Sequence, residues 1–459
     1  MILHNSKRRS WHLILVSAVV FGLQVYEPGG ASAQVLNQKV DELLQNNCAG
    51  LGAVGGSPNF GPELDALCAF PPTGAASSAG GGAASVQGSA ASILNRGVLQ
   101  RLYETEEEEG QTHARSSSMR LNPFGSLLSL GYASSVSSPL YAATTADGGS
   151  TATFTSGSQG RWNGLGFFAS GLVESLNRDI TTFQDGYRST IFGFTGGADY
   201  RFSKKLVAGL AFSYSNTDGN FRSGGNFSTN SYGGLLFASY LPTDRTFMQV
   251  TGGYTRNNYL VARALSANVS NDPTRPQNNP AAVNDISGIA SSNSNGNVFT
   301  LGLLTGYDHP IGRFTIGPRA GVNYSNTQIG DYTENGSTGI ELKYNDQWIN
   351  SLQSVLGVQG SAAFSTSFGV LVPQFNADYI HEFANSQRLI TVQFAQDFRT
   401  NATKFQFKND VPVRNYFNLG TGLVMVLPNG WQFFTNFRAM VGNEHFNNYA
   451  GTFGLRVAL

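Results

Sequence analysis

Tyr449-Ala450-Gly451-Thr452-Phe453-Gly454-Leu455-Arg456-Val457-Ala458-Leu459 closes the chain, and its two parities decide the fold class. Tyr449, Phe453, Leu455, Val457 and Leu459 fall on one parity, with Gly451 among them. Ala450, Thr452, Gly454, Arg456 and Ala458 fall on the other. Side chains of an extended strand point alternately to its two faces, so this segment has one greasy face and one small or polar face. The segment before it repeats the pattern, with Trp431, Phe433, Phe437, Ala439 and Val441 set against Gln432, Asn436 and Arg438. Far upstream, Phe192, Phe194, Gly196, Ala198, Tyr200 and Phe202 alternate with Thr195, Gly197, Asp199 and Arg201. Alternation of this length matches the roughly 9–11 residues a tilted strand needs to cross a bilayer.

The connections sort themselves by length. Short turns at Ser203-Lys204-Lys205, Pro242-Thr243-Asp244, His309-Pro310-Ile311-Gly312, Thr366-Ser367 and Pro428-Asn429-Gly430 alternate with long polar loops. The long ones lie near 175–187, 216–229, 262–296, 328–348 and 384–412, and a shorter one at 443–447 is the last. Outer-membrane barrels show this alternation, with tight periplasmic turns and long outer loops. A soluble sandwich has no reason to sort its loops this way. The count is about twelve strands, near 161–174, 188–202, 206–215, 230–241, 245–261, 297–308, 313–327, 349–365, 368–383, 413–427, 431–442 and 448–459. The even number puts the short turns and the C-terminus on the periplasmic side. Residues 388–399 and 404–408 also look strand-like and read as a hairpin continuing beyond the membrane.

Composition agrees. The charged fraction is 13%, about half the roughly 25% of soluble domains. There are 55 glycines, aromatics reach 12%, and mean hydropathy is −0.16. After residue 25 no apolar run approaches the roughly 18 residues of a membrane helix. A large soluble β-sandwich or propeller would share this composition; the loop sorting separates the two. In hydrocarbon every backbone N–H and C=O needs a protein partner, so spanning strands must close into a barrel. Glycines inside strands, among them Gly196, Gly197 and Gly209, permit bends and close approach. Tyr200, Phe202, Tyr240, Tyr254, Trp348, Tyr379 and Trp431 are candidates for interfacial girdles. The formal net charge is zero, which gives nucleic-acid binding no electrostatic support.

Before the barrel the texture differs. Residues 1–33 read as a signal peptide: Lys7, Arg8 and Arg9, the apolar Trp11 to Leu23, then Ala31-Ser32-Ala33, with cleavage expected between Ala33 and Gln34. Residues 34–110 read as a small helical region, with helices over Val35 to Asn47 and Ser92 to Glu109 and a helical turn after the loop around Pro62. Its Cys48 and Cys68 are the only cysteines; in an oxidising compartment they are expected to form one disulfide. Gly74 to Ala91 has linker composition. Residues 111–160 are a Ser/Gly/Ala-rich linker expected to be poorly ordered, and 161–459 form the barrel. The fold class is therefore all-β: a transmembrane antiparallel barrel of about twelve strands behind a short helical, partly disordered N-terminal region.

A search for chemistry finds no Gly-x-Ser-x-Gly elbow and no His-Glu-x-x-His zinc pair. His381 and Glu382 read as a polar pair at a strand end. Asp331, Glu334 and Asp346 lie in one loop without the spacing of a calcium loop and read as solvated. No enzyme activity, cofactor or metal is expected. The charges Glu174, Asp199, Arg201, Arg256, Arg319, Asp378, Arg438 and Arg456 fall opposite the apolar face or near its ends. In a narrow lumen they must pair or meet water. Cross-barrel pairing is the plain reading, and pore selectivity the sharper one.

Gly197-Ala198-Asp199-Tyr200-Arg201-Phe202, followed by Leu206-Val207-Ala208-Gly209-Leu210-Ala211-Phe212-Ser213-Tyr214, resembles the second and third strands of the autotransporter β-domain. Tyr240-Leu241-Pro242, Gly252-Gly253-Tyr254 leading to Arg263, Pro373 to His381-Glu382, and the closing Phe453 to Leu459 follow in the family's order. The resemblance covers roughly 160–459. It implies a twelve-stranded barrel and an upstream segment displayed or released outside. It also implies a helix just before the barrel that often threads the pore; Ser92 to Glu109 is the candidate, with a small helix lacking pore contact as its rival. Assembly would rest on a C-terminal signal, here Phe453, Leu455, Val457 and Leu459, read by the barrel-assembly machinery. The chain departs from the family in ending at Leu459 where Phe or Trp is usual. Its pre-barrel region is short and without repeats, and its pre-barrel helix has no Asn-Asn pair, so self-cleavage is not implied. The expected function is an outer-membrane translocator and anchor, in contact with outer-membrane lipids and monomeric, that displays or exports its N-terminal region. The alternative is an adhesin or structural protein acting through loops 262–296 and 384–412.

Overall fold

The period-2 alternation becomes twelve antiparallel strands. They are β1 Leu165–Arg178, β2 Tyr187–Ser203, β3 Leu206–Phe221, β4 Gly225–Thr243, β5 Thr246–Asn268, β6 Ile286–Tyr307, β7 Phe314–Ile329, β8 Gln347–Ala362, β9 Gly369–Glu382, β10 Asn415–Val426, β11 Trp431–Val441 and β12 Phe446–Ala458. The computed structural model describes residues 60–69, 74–77 and 164–459, apart from 204, 269–285, 385, 428–430 and 459. Ala33, Gln34, Cys48, Leu459, the expected helices Val35 to Asn47 and Ser92 to Glu109, and the 111–160 linker lie outside the described residues.

Each strand pairs with the next, and β12 returns to β1 in register from Phe446↔Arg178 to Ala458↔Gly166. That last ladder removes both edges, so the twelve-strand barrel is closed. Outward positions expose large apolar side chains such as Phe192, Phe194, Phe212 and Leu236, at 57–68% of their full surface. Inward positions such as Thr195, Asp199 and Asn323 are buried. In β2 the outward apolar series runs from Phe192 to Phe202. At about 3.3 Å per residue and a tilt near 40°, it covers roughly 25 Å, the height of a lipid-facing band.

The barrel has a turn end and a loop end. The strands β2 and β3, and β4 and β5, are joined at the turn end by two residues each. At the loop end the sequence reading needs three corrections. Loop 216–229 is mostly strand, because β3 runs to Phe221 and β4 starts at Gly225, with Gly224 and Gly225 at φ +104° and +92° in the turn. Loop 262–296 is a hairpin over its described residues, since β5 and β6 stay paired out to Ala267↔Ile286. Both stretches read as loops because they are rich in Ser and Asn. Beyond the lipid band a ladder needs only backbone hydrogen bonds, so the outward face no longer has to be greasy. Finally, Gly74–Ser77 is a strand laid antiparallel on β5, from Gly74↔Asn268 to Ser77↔Leu265, where composition indicated linker. It takes up backbone groups at the end of β5 that β4 does not reach.

A cross-strand motif marks the loop-side limit of the band. Tyr214 of β3 donates its hydroxyl to Asn230 of β4 (2.9 Å), Tyr254 of β5 to Asn297 of β6 (2.8 Å), Tyr324 of β7 to Asn350 of β8 (3.4 Å), and Tyr379 of β9 to Asn415 of β10 (2.6 Å). Each ring covers apolar surface while its hydroxyl meets an amide, the amphipathic behaviour expected at a membrane boundary. The inward face is less uniformly polar than the sequence indicated. Phe168, Leu172, Leu176, Tyr187 and Phe237 are inward and buried, the middle three in one apolar cluster with Phe221 and Phe227.

Candidate functional site

Inward charges form strand-to-strand pairs. Arg319 of β7 donates from Nε to Asp378 of β9 at 2.7 Å, with a second bond from its Nη2. Asn376 adds a bond to the same carboxylate at 2.9 Å, and Gln359 of β8 links Arg319 (3.3 Å) to Asp308 (3.0 Å). Arg438 of β11 reaches Glu174 of β1 at 3.4 Å, with Asn448 of the intervening β12 bonded to both. Arg456 of β12 reaches Asp199 of β2 at 3.4 Å across β1. These groups are almost fully buried. A buried charge left alone is very unfavourable, so each pair ties two staves together across the one between them. Arg201 follows Asp199 on the same parity towards the turn end and is half-buried. Among the described residues no group of three or more metal-ligating side chains comes together.

Two sequence assignments change here. Arg256 is on the outward face with Tyr254, opposite Asn297, and is exposed. It lies just past the apolar band, where outward positions turn polar and parity no longer separates lipid from lumen. Glu334 is not solvated: it is buried, accepts Arg263 Nε at 2.8 Å and the Leu342 amide at 2.8 Å, and holds the loop against β5. Arg263 was missed because β5 was expected to end near residue 261; carrying its inward parity two residues further would have found it. Asp331 and Asp346 meet through the Asp331 amide and the Asp346 carboxylate at 2.7 Å. His381 and Glu382 diverge. His381 Nδ1 lies 2.8 Å from Asn415, while Glu382 turns inward to Gln353 Nε2 (2.8 Å), the Ser351 hydroxyl (2.5 Å) and the Leu352 amide (2.9 Å).

The loop end carries a second structure. Tyr332–Thr333, Leu342–Tyr344, Leu389–Phe394 and Phe405–Lys408 form a separate four-stranded antiparallel sheet from two loops. The hairpin expected over 388–408 is present, but its partner is the loop before β8. Helix α1, Pro62–Ala69, packs on this sheet. Pro62 presets the first helical φ, and Glu63 and Asp65 sit in the first turn, where the macrodipole favours negative charge. Eight residues are too few for a helix stable alone. The position before the helix is Gly61, which has no capping side chain. Gln396 of the loop supplies the cap: its Oε1 accepts the Leu64 amide at 3.0 Å, and its Nε2 donates to Glu63 at 2.8 Å. Leu64, Leu67 and Cys68 enter one apolar cluster with Tyr332, Ile340, Leu342 and Phe394.

Residues 167–438, more than half of the chain, match the autotransporter beta-domain family. Outer membrane protein A of Rickettsia conorii is 21% identical over 291 residues, covering 61% of this chain and 13% of that protein. Outer membrane protein B of Rickettsia prowazekii is 24% identical over 234 residues, 48% of this chain and 14% of that protein. The chain thus spans a small fraction of the length of these relatives. Among solved structures, the translocator domain of autotransporter NalP from Neisseria meningitidis has a TM-score of 0.48 at 15% identity, covering 65% of this chain and 89% of that one. The beta domain of the Bordetella autotransporter BrkA has a TM-score of 0.44 at 13% identity, covering 65% and 100%. A closed barrel of twelve antiparallel strands with a greasy exterior, matched along most of its staves, belongs to the autotransporter β-domain family, the outer-membrane translocator barrels.

Proposed function

We propose that this barrel anchors the chain in the outer membrane and holds its N-terminal region at the cell surface after exporting it. One observation carries the reading. Phe60 and α1 sit on the loop end, whereas β1 begins at Leu165 at the turn end, beside the last residues of β12. Barrels of this kind place their long loops outside and their short turns in the periplasm. The chain between Ser77 and Leu165 then has to cross the membrane, and a closed barrel offers its lumen as the route. Roughly ten extended residues suffice for about 30 Å, far fewer than lie between these points. The action is conformational and not catalytic. Phe453, Leu455 and the following Val457, outward on β12, together with Leu459 after its end, supply the signal the barrel-assembly machinery would read, and a monomer suffices because the barrel leaves no edge of its own to pair. Removal of the signal between Ala33 and Gln34 would precede insertion. The adhesin reading has its own support: Phe398, on loop 384–412 and outside the barrel strands, is 65% exposed.

An epitope inserted between Gly55 and Gly56 tests the orientation. Antibody should label intact cells. Labelling only after the outer membrane is permeabilised would reject surface display.

A further inference from the structure

The contact between residues 60–69 and the loop end has the anatomy of a peptide–receptor complex. Gly61 donates its amide to the Gln396 carbonyl at 2.9 Å, and Phe60 bridges Asp397, so the segment enters by backbone pairing. The Gln396 side chain then caps α1 through Leu64 and Glu63. Leu64 and Leu67 are almost fully buried, at 1% and 0% exposure. The Arg399 guanidinium lies over the Phe60 ring, 5.1 Å from its centre. Gly339, at φ +81°, lets the loop press on the helix; a Cβ there would lie 2.8 Å from the Glu63 carbonyl carbon and from Leu67 Cδ1.

The receptor side is held by bonds that do not involve the helix. Asp397 is engaged by Arg399 at 2.6–2.8 Å. The Glu341 carboxylate accepts the Thr338 and Gly339 amides at 2.8 and 2.9 Å. Arg263 pins Glu334. After Cys68 the chain has no further cysteine, so no disulfide can tie the N-terminal region to the barrel. Among the described residues its attachments, apart from chain continuity, are this noncovalent contact and the short Gly74–Ser77 ladder.

We infer that the sheet built from loops 328–346 and 388–408 is a receptor for residues 60–69, a clasp that keeps the N-terminal region on the barrel when the chain behind it is cut. The inference deepens the display reading and uses the same surface, but its test is independent of which side of the membrane the loops face. A site for a sequence-specific protease is inserted in the full chain at Gly80-Gly81-Gly82, and the protein is purified in mild detergent and cleaved. The N-terminal fragment is expected to co-elute with the barrel on size exclusion. A Leu64→Asp, Leu67→Asp double variant places two unpaired carboxylates in the apolar cluster, and its retained fraction should fall by about tenfold or more. The barrel of that variant should keep its heat-modifiable migration on gels, which separates loss of the clasp from loss of the fold. Release of the unmutated fragment under the same conditions overturns the inference, as does equal retention of the double variant. Surface labelling that failed while co-elution held would reject display and leave the clasp standing.

Discussion

At the scale of single residues, the inward pairs decide whether a stave can be altered. Arg319 and Asp378 are both buried and share two hydrogen bonds. Arg319→Met leaves Asp378 without its charged partner in the barrel interior. Breaking a buried pair typically costs about 3–5 kcal/mol. The variant should lose its folded, fast-migrating gel form at a distinctly lower temperature than the parent. Adding Asp378→Leu should recover most of the loss, because the orphaned charge is gone; a double variant no better than the single one would argue that the pair's worth lies elsewhere. Outside the band, Asp185 gives a pH signature. Burial pushes its carboxyl up to about 6, partly offset by hydrogen bonds from the Ser223 hydroxyl and amide. Its folded-state value lies above the ordinary 3.8, so the folded loop binds the proton more tightly than the open one. The loop should be firmest below about pH 4 and loosen as pH rises towards about 6. Hydrogen exchange at the Arg222 amide, which bonds to Gly186 at 2.9 Å, reports this once corrected for intrinsic rates. Asp185→Asn should flatten the dependence, and an unchanged profile would dismiss Asp185 as its source.

At the scale of elements, strands are joined by inward phenylalanines lying over glycines of the neighbouring strand. Phe168 of β1 is opposite Gly197 of β2, and Phe237 of β4 is opposite Gly209 of β3. A Cβ on Gly209 would lie 2.4 Å from both the Phe237 ring and the Ala198 carbonyl oxygen. Gly209→Ala should destabilise the barrel by about 1–3 kcal/mol through overpacking. Phe237→Ala added to it should restore only part, since the clash with the Ala198 carbonyl remains. Thermal midpoints of the parent, the two single variants Gly209→Ala and Phe237→Ala, and the double variant check this; full restoration would mean the backbone contact is harmless. In the sequence these glycines were visible only as strand glycines. Which phenylalanine covers which glycine depends on register, and periodicity does not specify that. The Tyr–Asn belt was half legible for the same reason: Tyr254 and Tyr379 stood out as strand-end aromatics, but their amide partners sit on the next strand.

At the scale of the molecule, the N-terminal region and the barrel meet at the loop end. Cys68 is buried in α1, against the loop sheet, and a Cys48–Cys68 disulfide would close a loop of about twenty residues that includes the docked stretch from Phe60 to Leu67. Such a closure is worth about 3 kcal/mol by chain entropy. Thiol-alkylation mass spectrometry of the secreted-compartment protein should find no free thiol, and the reduced form should be cut sooner by protease between the two positions. Free thiols in the native protein would reject the pairing.

The amino-acid sequence alone determined twelve spanning strands, their order, the side of each side chain within the lipid band and the alternation of short and long connections. All of these follow from two local facts, the two-residue period of a strand and the turn chemistry between strands, and hydrocarbon enforces the pattern by penalising any polar outward side chain. Beyond the band that penalty vanishes, and the sequence stopped being informative there: the outer halves of β3 to β6, the direction of Arg256, the burial of Glu334 and the strand Gly74–Ser77 emerged only in three dimensions. The docking of α1 on two loops hundreds of residues downstream is the extreme case. Gln396 caps a helix whose own preceding residue is glycine, and no local pattern in either segment encodes that meeting.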